Sequence, residues 1–374
     1  MKYPQLLLIS VSVLLGVVQV RAQFFRPRIY SNEFLNIGSG ARALGMGSTS
    51  VASASDATSG YWNPAGLSYN RDNPSITAMH AEYFSGIGKY DYAAAVFPLN
   101  TDMPSSFGVS AIRFGVDDIA NTLDLVQPDG SINYDNITTF SSADYALLLS
   151  YSRMLIDDDD RSLSIGGNAK IIYRMVGSFA NAIGFGIDGG IMYRSGNLQL
   201  GAVARDVTTT FNAWRFSFTD REKQVLYLTD NEIPVKSSET TLPRLILGGA
   251  YNFEFSDKFH LMGEADLDMT FDGKRNTVIS GNPISVDPRI GLEANINNTV
   301  FIRAGASNFQ RTLDDADTLN QKKVWIFQPS VGAGFKLGNV KIDYAFTNLT
   351  NQSNPLYTHV FSLTVDLVKK ESYY

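Results

Sequence analysis

Apolar and polar residues alternate along most of the chain, in runs that are separated by polar turns. In residues 182–193, Phe185 and Ile187 fall on one side of an extended chain, and Gly186 and Asp188 fall on the other. A helix repeats every ~3.6 residues and would place such polar positions among the apolar ones. The alternation therefore predicts β-strands with one apolar face and one small or polar face.

The alternating segments number about fourteen, and most of them run for about 9 to 13 residues. That length suits a tilted strand that crosses a bilayer, whereas strands of soluble proteins more often have about five or six residues. The predicted strands lie near residues 76–84, 89–97, 105–114, 143–154, 161–175, 182–194, 197–207, 243–254, 258–269, 287–296, 299–307, 326–337, 339–347 and 357–368.

The connections between these segments alternate between short and long. Tight turns of the hairpin type are predicted at residues 157–160, 195–196, 256–257, 297–298 and 338–339. Long polar connections are predicted at residues 115–142, 208–242, 270–286, 308–325 and 348–356. Barrels of the outer membrane have short turns at one rim and long loops at the other. A soluble β-sandwich or propeller does not show this distribution.

We therefore predict an all-β fold, a transmembrane antiparallel β-barrel of about fourteen strands over residues 75–374. An even number of strands returns the chain to the side on which it started. Both ends of the barrel are thus expected on the periplasmic side, and the long loops outside the cell.

The start of the chain has the pattern of an export signal. Lys2 precedes an apolar stretch over residues 6–20, and the small residues around Ala22 suit a signal peptidase. The competing interpretation is a membrane anchor, but the stretch is shorter than the roughly 20 residues that a spanning helix needs. We predict a signal peptide over residues 1–22, cleaved after Ala22, and a location in the outer membrane.

Composition narrows the function classes. The net charge of −6 argues against a nucleic-acid partner, which would favour a basic face. Without cysteine the chain has neither a thiol nucleophile nor a thiolate metal site. Aromatic residues make up 12%, yet the mean hydropathy is only −0.07, as expected of alternating strands with aromatic girdles. Nothing in the sequence calls for a cofactor or a metal.

Residues 23–74 do not alternate. Glycines recur between residues 38 and 47, a brief helix is predicted at 56–61, and Asn63 stands before Pro64, which favours an extended or turn conformation. A compact segment of small residues, packed as a plug inside the barrel, explains this pattern. A phosphate-binding loop does not, because GSGARALGMG lacks the GxGxxG spacing and no GK[ST] follows.

Two strings in this segment, FLNIGSGARALGMG and DATSGYWNPAGLS, resemble the N-terminal signature of the PorV/PorQ family. These are barrel proteins of the type IX secretion system and are FadL-like in fold. The signature is specific to the family and not to one member of it. The resemblance implies that its residues belong to a structural hatch, namely Arg42, Gly45, Met46, Gly47, Asp56, Tyr61, Trp62, Asn63, Pro64 and Gly66.

The resemblance also implies a function without catalysis. PorV-type proteins associate with the barrel of the type IX translocon and bind exported cargo by its C-terminal signal domain. The expected partners are therefore the translocon barrel protein, such cargo and outer-membrane lipid. The alternative is a FadL-like transporter of hydrophobic small molecules, for which the inward-facing Ile172, Ile246 and Met262 leave room.

We expect the cargo site in the loops, and foremost in residues 208–242. This region combines many charges with several aromatic residues, which indicate either a partner surface or a lid folded over the mouth of the barrel. The sequence does not decide between these two interpretations. The aromatic residues are Phe211, Trp214, Phe216, Phe218 and Tyr227.

Two sets of side chains have the composition of a chemical site. His260 is predicted to face the lumen beside Glu264, Asp266 and Asp268, as an acid–base set would require. We favour a salt-bridged lumen wall instead, since arginines fall on the same inward face, namely Arg244, Arg289 and Arg303. The acidic run at residues 157–160 lacks the alternate spacing and glycine of a calcium loop, so a solvated turn is favoured.

Overall fold

The computed structural model describes residues 31–127, 130–233, 236–313, 323–349 and 357–368. The predicted signal peptide and its cleavage after Ala22 lie outside these ranges. Within them, no helix is both long enough and apolar enough to span a bilayer.

The described residues form seventeen strand segments that pair into one antiparallel sheet. Short helices precede and interrupt it. The strand segments are β1 (Ser75–Tyr83), β2 (Gly88–Leu99), β3 (Ser105–Asn121), β4 (Thr138–Asp157), β5 (Arg161–Val176), β6 (Ala180–Ser195), β7 (Leu198–Arg205), β8 (Thr210–Phe216), β9 (Lys236–Thr241), β10 (Arg244–Ser256), β11 (Phe259–Thr270), β12 (Ile279–Ser280), β13 (Ser285–Ile296), β14 (Val300–Leu313), β15 (Lys323–Leu337), β16 (Val340–Thr347) and β17 (Thr358–Asp366).

These segments make a closed barrel of fourteen strands. β7 and β8 both pair with β6 and are two parts of one strand. β9 and β10 form the next strand in the same way, since β9 pairs with β8 and β10 with β7. The two-residue β12 lies beside β13. β1 closes the ring against β17, from Ser75 opposite Asp366 to Glu82 opposite His359. The predicted barrel is confirmed.

The alternation along each strand matches the two faces of the barrel wall. In β6, Ile183 and Phe185 point outward, with 61% and 41% of their surface exposed, while Asp188 points inward and is buried. In a closed ring every strand pairs with a neighbour on each side, so the backbone N–H and C=O groups are hydrogen-bonded although the interior of a bilayer contains no water. The apolar outward side chains then face lipid.

The long connections lie at one rim, as predicted, but two short ones, at residues 84–87 and 177–179, share that rim, and the opposite rim has short turns. Three residues, 158–160, separate β4 from β5, and two residues, Gly196 and Asn197, join β6 to β7. Gly196 has a φ of 52°, which a tight turn requires and glycine adopts easily. We call the two ends of the barrel the turn rim and the loop rim.

The prediction of a long loop over residues 208–242 is wrong. The region consists of β8, helix α3 (Asp220–Leu228) and β9, and β8 pairs with β9 from Thr210 opposite Thr241 to Arg215 opposite Lys236. Polar residues dominate here because the strands continue past the membrane into water, where both faces tolerate polar side chains. Pairing still satisfies their backbone N–H and C=O groups.

The residues before β1 form short helical pieces. These are a 3-10 turn (Glu33–Asn36), α1 (Ala41–Gly45), α2 (Ser59–Trp62) and a second 3-10 turn (Pro64–Tyr69), and a further 3-10 turn (Tyr134–Asn136) lies between β3 and β4. Asn63 has φ −152° and ψ 106°. This extended conformation is expected before a proline, and it ends α2 there.

Candidate functional site

Residues 31–74, called the interior segment below, pack against the inward face of the barrel wall. The backbone N–H of Gly47 donates to Ser330 Oγ in β15 at 2.9 Å. The amide of Asn168 in β5 donates to the carbonyl of Gly60 at 2.7 Å. β15 and β5 lie half a ring apart in the strand order, so the segment lies inside the ring.

Two glycines of the family signature stand where backbone meets backbone. A Cβ on Gly45 would lie 3.1 Å from the Cα of Gly332, and one on Gly47 would lie 2.6 Å from the nitrogen of Ala306. Gly47 also has a φ of 69°, a left-handed conformation that strains residues with a side chain. The chain just after α1 therefore approaches the wall closely enough to require glycine at position 47.

Tyr61, Trp62 and Asn63 fix the interior segment by hydrogen bonds to carbonyls. The Tyr61 hydroxyl and the Trp62 indole N–H donate to backbone carbonyls of the segment itself, at 2.6 and 2.7 Å. The amide of Asn63 donates to the carbonyl of Val51 at 2.8 Å and to that of Ile191 in β6 at 3.2 Å. Asn63 thus ties the segment to the wall.

The remaining uncharged and acidic residues of the signature are buried or accept a hydrogen bond from the interior segment. Met46, Pro64 and Gly66 are buried, and Asp56 accepts a hydrogen bond from the backbone N–H of Thr58 at 2.8 Å. The signature residues therefore lie together, in packing and capping roles. That they block passage through the barrel, as a hatch would, stays a prediction.

The inward-facing acids of β11 hold the turn at residues 50–53. Asp266 Oδ2 accepts from the backbone N–H groups of Ser50 and Val51, at 3.0 and 3.3 Å. Glu264 Oε1 accepts from those of Ala52 and Ser53, at 2.8 and 3.3 Å. Both carboxylates are buried, and four N–H groups of the segment are satisfied by two strand side chains.

His260 shares the inward face of β11 with these acids, as predicted, but lies at the turn-rim end of the strand. Glu264 and Asp266 are engaged by the interior segment and Asp268 by arginines. The arrangement supports the lumen-wall interpretation over an acid–base set.

Arg42 of α1 joins a chain of buried ion pairs. Its guanidinium lies 3.0 Å from Glu293 of β13, which also pairs with Arg303 of β14 at 2.6 Å. Arg303 is fully buried and reaches Asp343 of β16 at 2.8 Å. Burial disfavours the charged guanidinium of Arg42, but the carboxylate of Glu293 outweighs it and raises the pKa of Arg42 above its ordinary value.

A second cluster of charges surrounds Asp268 of β11. Its carboxylate lies 3.2 Å from Arg244 of β10 and 2.8 Å from Arg289 of β13. The salt-bridged wall predicted from the sequence is therefore present. Buried pairs of this kind add little net stability, yet losing one partner costs about 3–5 kcal/mol.

Two of the four acids at residues 157–160, on the turn rim, pair with arginines. Asp157 lies 2.6 Å from Arg71, and Asp158 lies 3.1 Å from Arg161. In the part of the chain that the structure describes, no group of three or more His, Asp and Glu side chains is placed to hold a metal ion.

A cavity of about 510 Å³ opens at the loop rim. It lies between the ends of β3 and β4, the β5–β6 hairpin, α3, and the inner face of β8 and β9. We call it the aromatic cavity, because its wall includes Phe140, Phe179, Trp214, Phe216 and Phe218.

Most of the rings in this wall stack face to face. Phe218 lies 6.2 Å from Phe179 and 6.4 Å from Phe216, centroid to centroid, and Trp214 lies 6.3 Å from Phe216. Interplanar angles along this row are 29°, 6° and 20°. Phe140 meets Phe179 edge to face at 5.1 Å. Such pairs contribute about 0.5–1.5 kcal/mol each beyond their burial, so the wall is a preformed apolar surface.

Charged groups border the aromatic cavity below Trp214. The guanidinium of Arg174 lies 5.2 Å from the Trp214 ring centre and pairs with Asp144 at 2.7 Å and Glu239 at 3.1 Å. Glu239 is itself part of the cavity lining. The Trp214 indole N–H is buried and has no acceptor among the described residues.

The structure brings together three of the five aromatic residues that the sequence singled out. Trp214, Phe216 and Phe218 line the aromatic cavity. Phe211 points away from it on the outer face of β8, and Tyr227 on α3 is 79% exposed. The sequence did not indicate Phe140 or Phe179, since no local pattern shows that their strands end beside β8.

A family model described as "Type IX secretion system protein PorV" matches residues 28–262, more than half of the chain. The chain belongs to the PorV family. It is therefore an outer-membrane protein of the type IX secretion system. A search of curated protein sequences found no match.

Solved structures of FadL-like barrels are similar to this PorV-family chain in fold. The toluene transporter TodX of Pseudomonas putida matches with a TM-score of 0.53 and 14% identity, over 88% of this chain and 98% of its own. The toluene transporter TbuX of Ralstonia pickettii matches with a TM-score of 0.52 and 12% identity, over 88% of this chain and 99% of its own. A Pseudomonas aeruginosa FadL homologue matches with a TM-score of 0.51 and 13% identity, over 88% of this chain and 98% of its own. At these identities the likeness concerns the fold alone.

Proposed function

We propose that this protein binds exported proteins by their C-terminal signal domain at the loop rim, in association with the translocon barrel. Membership of the PorV family is the observation that carries the proposal. The loop rim offers a preformed aromatic surface, which suits an anchor side chain of a protein partner.

The interior segment supports a binding role over conduction. It is hydrogen-bonded to strands on opposite sides of the ring, through Ser330 and Asn168. Its largest side chain, Trp62, is 2% exposed. A barrel blocked by this segment would leave its two rims and its lipid-facing wall as interaction surfaces.

We also propose that the protein acts without catalysis. In each buried acid of β11, one carboxylate oxygen accepts hydrogen bonds from the interior segment or pairs with arginines, and this fits a structural role of the acids in the wall.

The test is affinity purification of the tagged protein from native outer membranes in mild detergent, followed by mass spectrometry. We expect a large barrel protein and secreted proteins that share a C-terminal domain. An outer-membrane barrel unrelated in sequence, with the same tag, serves as the control. A strain that lacks the protein should retain such secreted proteins in the periplasm, and normal secretion in that strain would contradict the proposal.

A second candidate is transport of hydrophobic small molecules. The aromatic cavity favours it, because its volume of about 510 Å³ and its apolar wall suit a small apolar ligand. The TodX and TbuX structures share the fold and are described as toluene transporters. Uptake of labelled toluene that depends on the protein, with secretion unaffected by its loss, would favour this candidate.

A further inference from the structure

β9 has a strand partner on one side only among the described residues. It pairs with β8 along its whole length, from Lys236 to Thr241. The strand continues as β10, which pairs with β11, but β11 ends at Thr270, opposite Arg244. β9 therefore rises past the end of its neighbour at the loop rim.

A free strand edge presents N–H and C=O groups that can pair with another extended chain. Six residues give β9 an edge of roughly 20 Å. Proteins commonly protect such edges with proline, bulges or exposed charges. β9 has the sequence KSSETT, without proline. Its Glu239 pairs with Arg174 at 3.1 Å, and its other charged residue, Lys236, is the first residue of the strand, so that the middle of the edge carries only serine and threonine beside Glu239.

The free edge borders the aromatic cavity. Ser237 and Glu239 stand two residues apart, share one face of β9, and both line the cavity. Side chains on neighbouring strands lie about 4.5–5.5 Å apart at their Cβ atoms. A strand added beside β9 would thus place alternate side chains next to Ser237 and Glu239, at the cavity.

We propose that an extended segment of an exported protein pairs with the free edge of β9 and places an apolar side chain in the aromatic cavity. The inference rests on the proposed function and adds to it a mode of recognition. Backbone pairing would supply affinity for any extended chain, and the cavity would select those with an aromatic or aliphatic residue at the right position.

A second copy of this protein is a poorer occupant. Pairing of β9 with its own copy would bring the sequence KSSETT to the cavity, and it contains no apolar side chain to fill an aromatic wall. An exported polypeptide, the partner of the proposed function, is not limited to this sequence and can supply one.

The absence of cysteine makes a site-specific test possible. A Ser238→Cys variant, exposed on β9, is labelled with a thiol-reactive photo-crosslinker in intact cells. Ser280→Cys is the matched control, since Ser280 is an exposed serine of the same rim in β12. The probe is a fluorescent protein fused to the C-terminal signal domain of one secreted protein of the host. We expect an adduct with this probe at position 238 and none at 280.

The role of the cavity is tested in the same assay with Ala120→Trp, which puts a large side chain into the lining. The adduct at position 238 should fall at least about ten-fold, the loss expected when one large apolar side chain can no longer be buried. Ala111→Trp adds the same bulk on the outer face of β3, away from the label at position 238, and should leave the adduct unchanged.

Three results would overturn the proposal: equal adducts at positions 238 and 280, an adduct between two copies of this chain, or an adduct that Ala120→Trp does not reduce. Co-purification of the probe with the unmodified protein is measured in parallel. If the probe co-purifies but no adduct forms at 238, the proposed function stands and the edge pairing is wrong. If it does not co-purify at all, the proposed function itself is wrong.

Discussion

At the scale of single residues, the family signature is explained by contacts between the interior segment and the wall. Glycines sit where α1 touches strand backbone, and Asn63 bridges Val51 to Ile191. The glycine positions leave no space for a side chain, and position 63 needs an amide that donates to two carbonyls, so each position admits few residue types. The signature thus describes a packing interface inside the barrel.

Gly47→Ala is expected to destabilise the folded barrel by about 2–4 kcal/mol, because the new methyl group would overlap backbone atoms that cannot withdraw easily. Those atoms are the nitrogen of Ala306 at 2.6 Å and the carbonyl oxygen of Ile290 at 2.8 Å. Urea unfolding in lipid vesicles, followed by tryptophan fluorescence, measures the difference.

Gly196→Ala is the matched control for this change. Gly196 also has a left-handed φ, of 52°, but a Cβ there would meet no atom within 4 Å. It should cost only about 1 kcal/mol, from backbone strain alone. Equal losses of unfolding free energy in the two variants would show that the left-handed conformation, and not the contact with β14, is the reason for glycine at position 47.

At the scale of elements, the most informative pair is β8 and β9. The two strands extend past the end of β11 and have two different faces. The inner face carries Trp214 and Phe216 into the aromatic cavity, and the outer face carries Phe211. Aromatic residues that are close in sequence therefore have separate roles, because strand geometry sends successive side chains to opposite sides.

Phe218→Ala should weaken binding of exported proteins about ten-fold while the barrel still assembles. Phe218 stacks between Phe179 and Phe216 in the cavity wall, so its loss removes part of the apolar surface offered to a partner. Quantitative co-purification of a fluorescent cargo fusion measures the effect. Phe211→Ala, on the outer face of β8, is the matched control, and an equal loss in both variants would argue against the cavity.

At the scale of the whole molecule, the barrel and the interior segment form one packed unit. Inward-facing acids and arginines meet α1, α2 and the turn at residues 50–53, so the wall and its content stabilise each other. Two of these links, at Glu264 and Asp266, are carboxylates that each accept two backbone N–H groups. They hold the segment by polar contacts, whose removal leaves N–H groups buried without acceptors.

The predicted hatch implies that the unmodified protein shows no steady conductance in planar lipid bilayers. The double variant Glu264→Ala, Asp266→Ala should show frequent opening events, because the turn at residues 50–53 loses four hydrogen bonds to the wall. Asp158→Ala, at the turn rim, is the control and should remain closed. An open channel in the unmodified protein would contradict a closed interior and favour the transport candidate.

The sequence by itself determined the barrel, because strand alternation and turn chemistry act over a few residues. The strand number and the inward position of Asp266 and Arg289 follow from a period of two, and the tight turns follow from the residue types between the strands. The family signature, likewise, is a continuous string and can be recognised without a structure. Its individual contacts could not be predicted, since Gly47 and Ala306 meet only after the ring has closed.

Tertiary structure alone decided the features of the loop rim. The aromatic cavity joins Phe140, Phe179 and Trp214, which no local pattern relates, and the free edge of β9 exists only because β11 ends early. The polar composition of residues 208–242 indicated a loop, because strands that stand in water no longer need an apolar face. Where the membrane stops constraining the sequence, the pairing of distant strands becomes the only guide to structure.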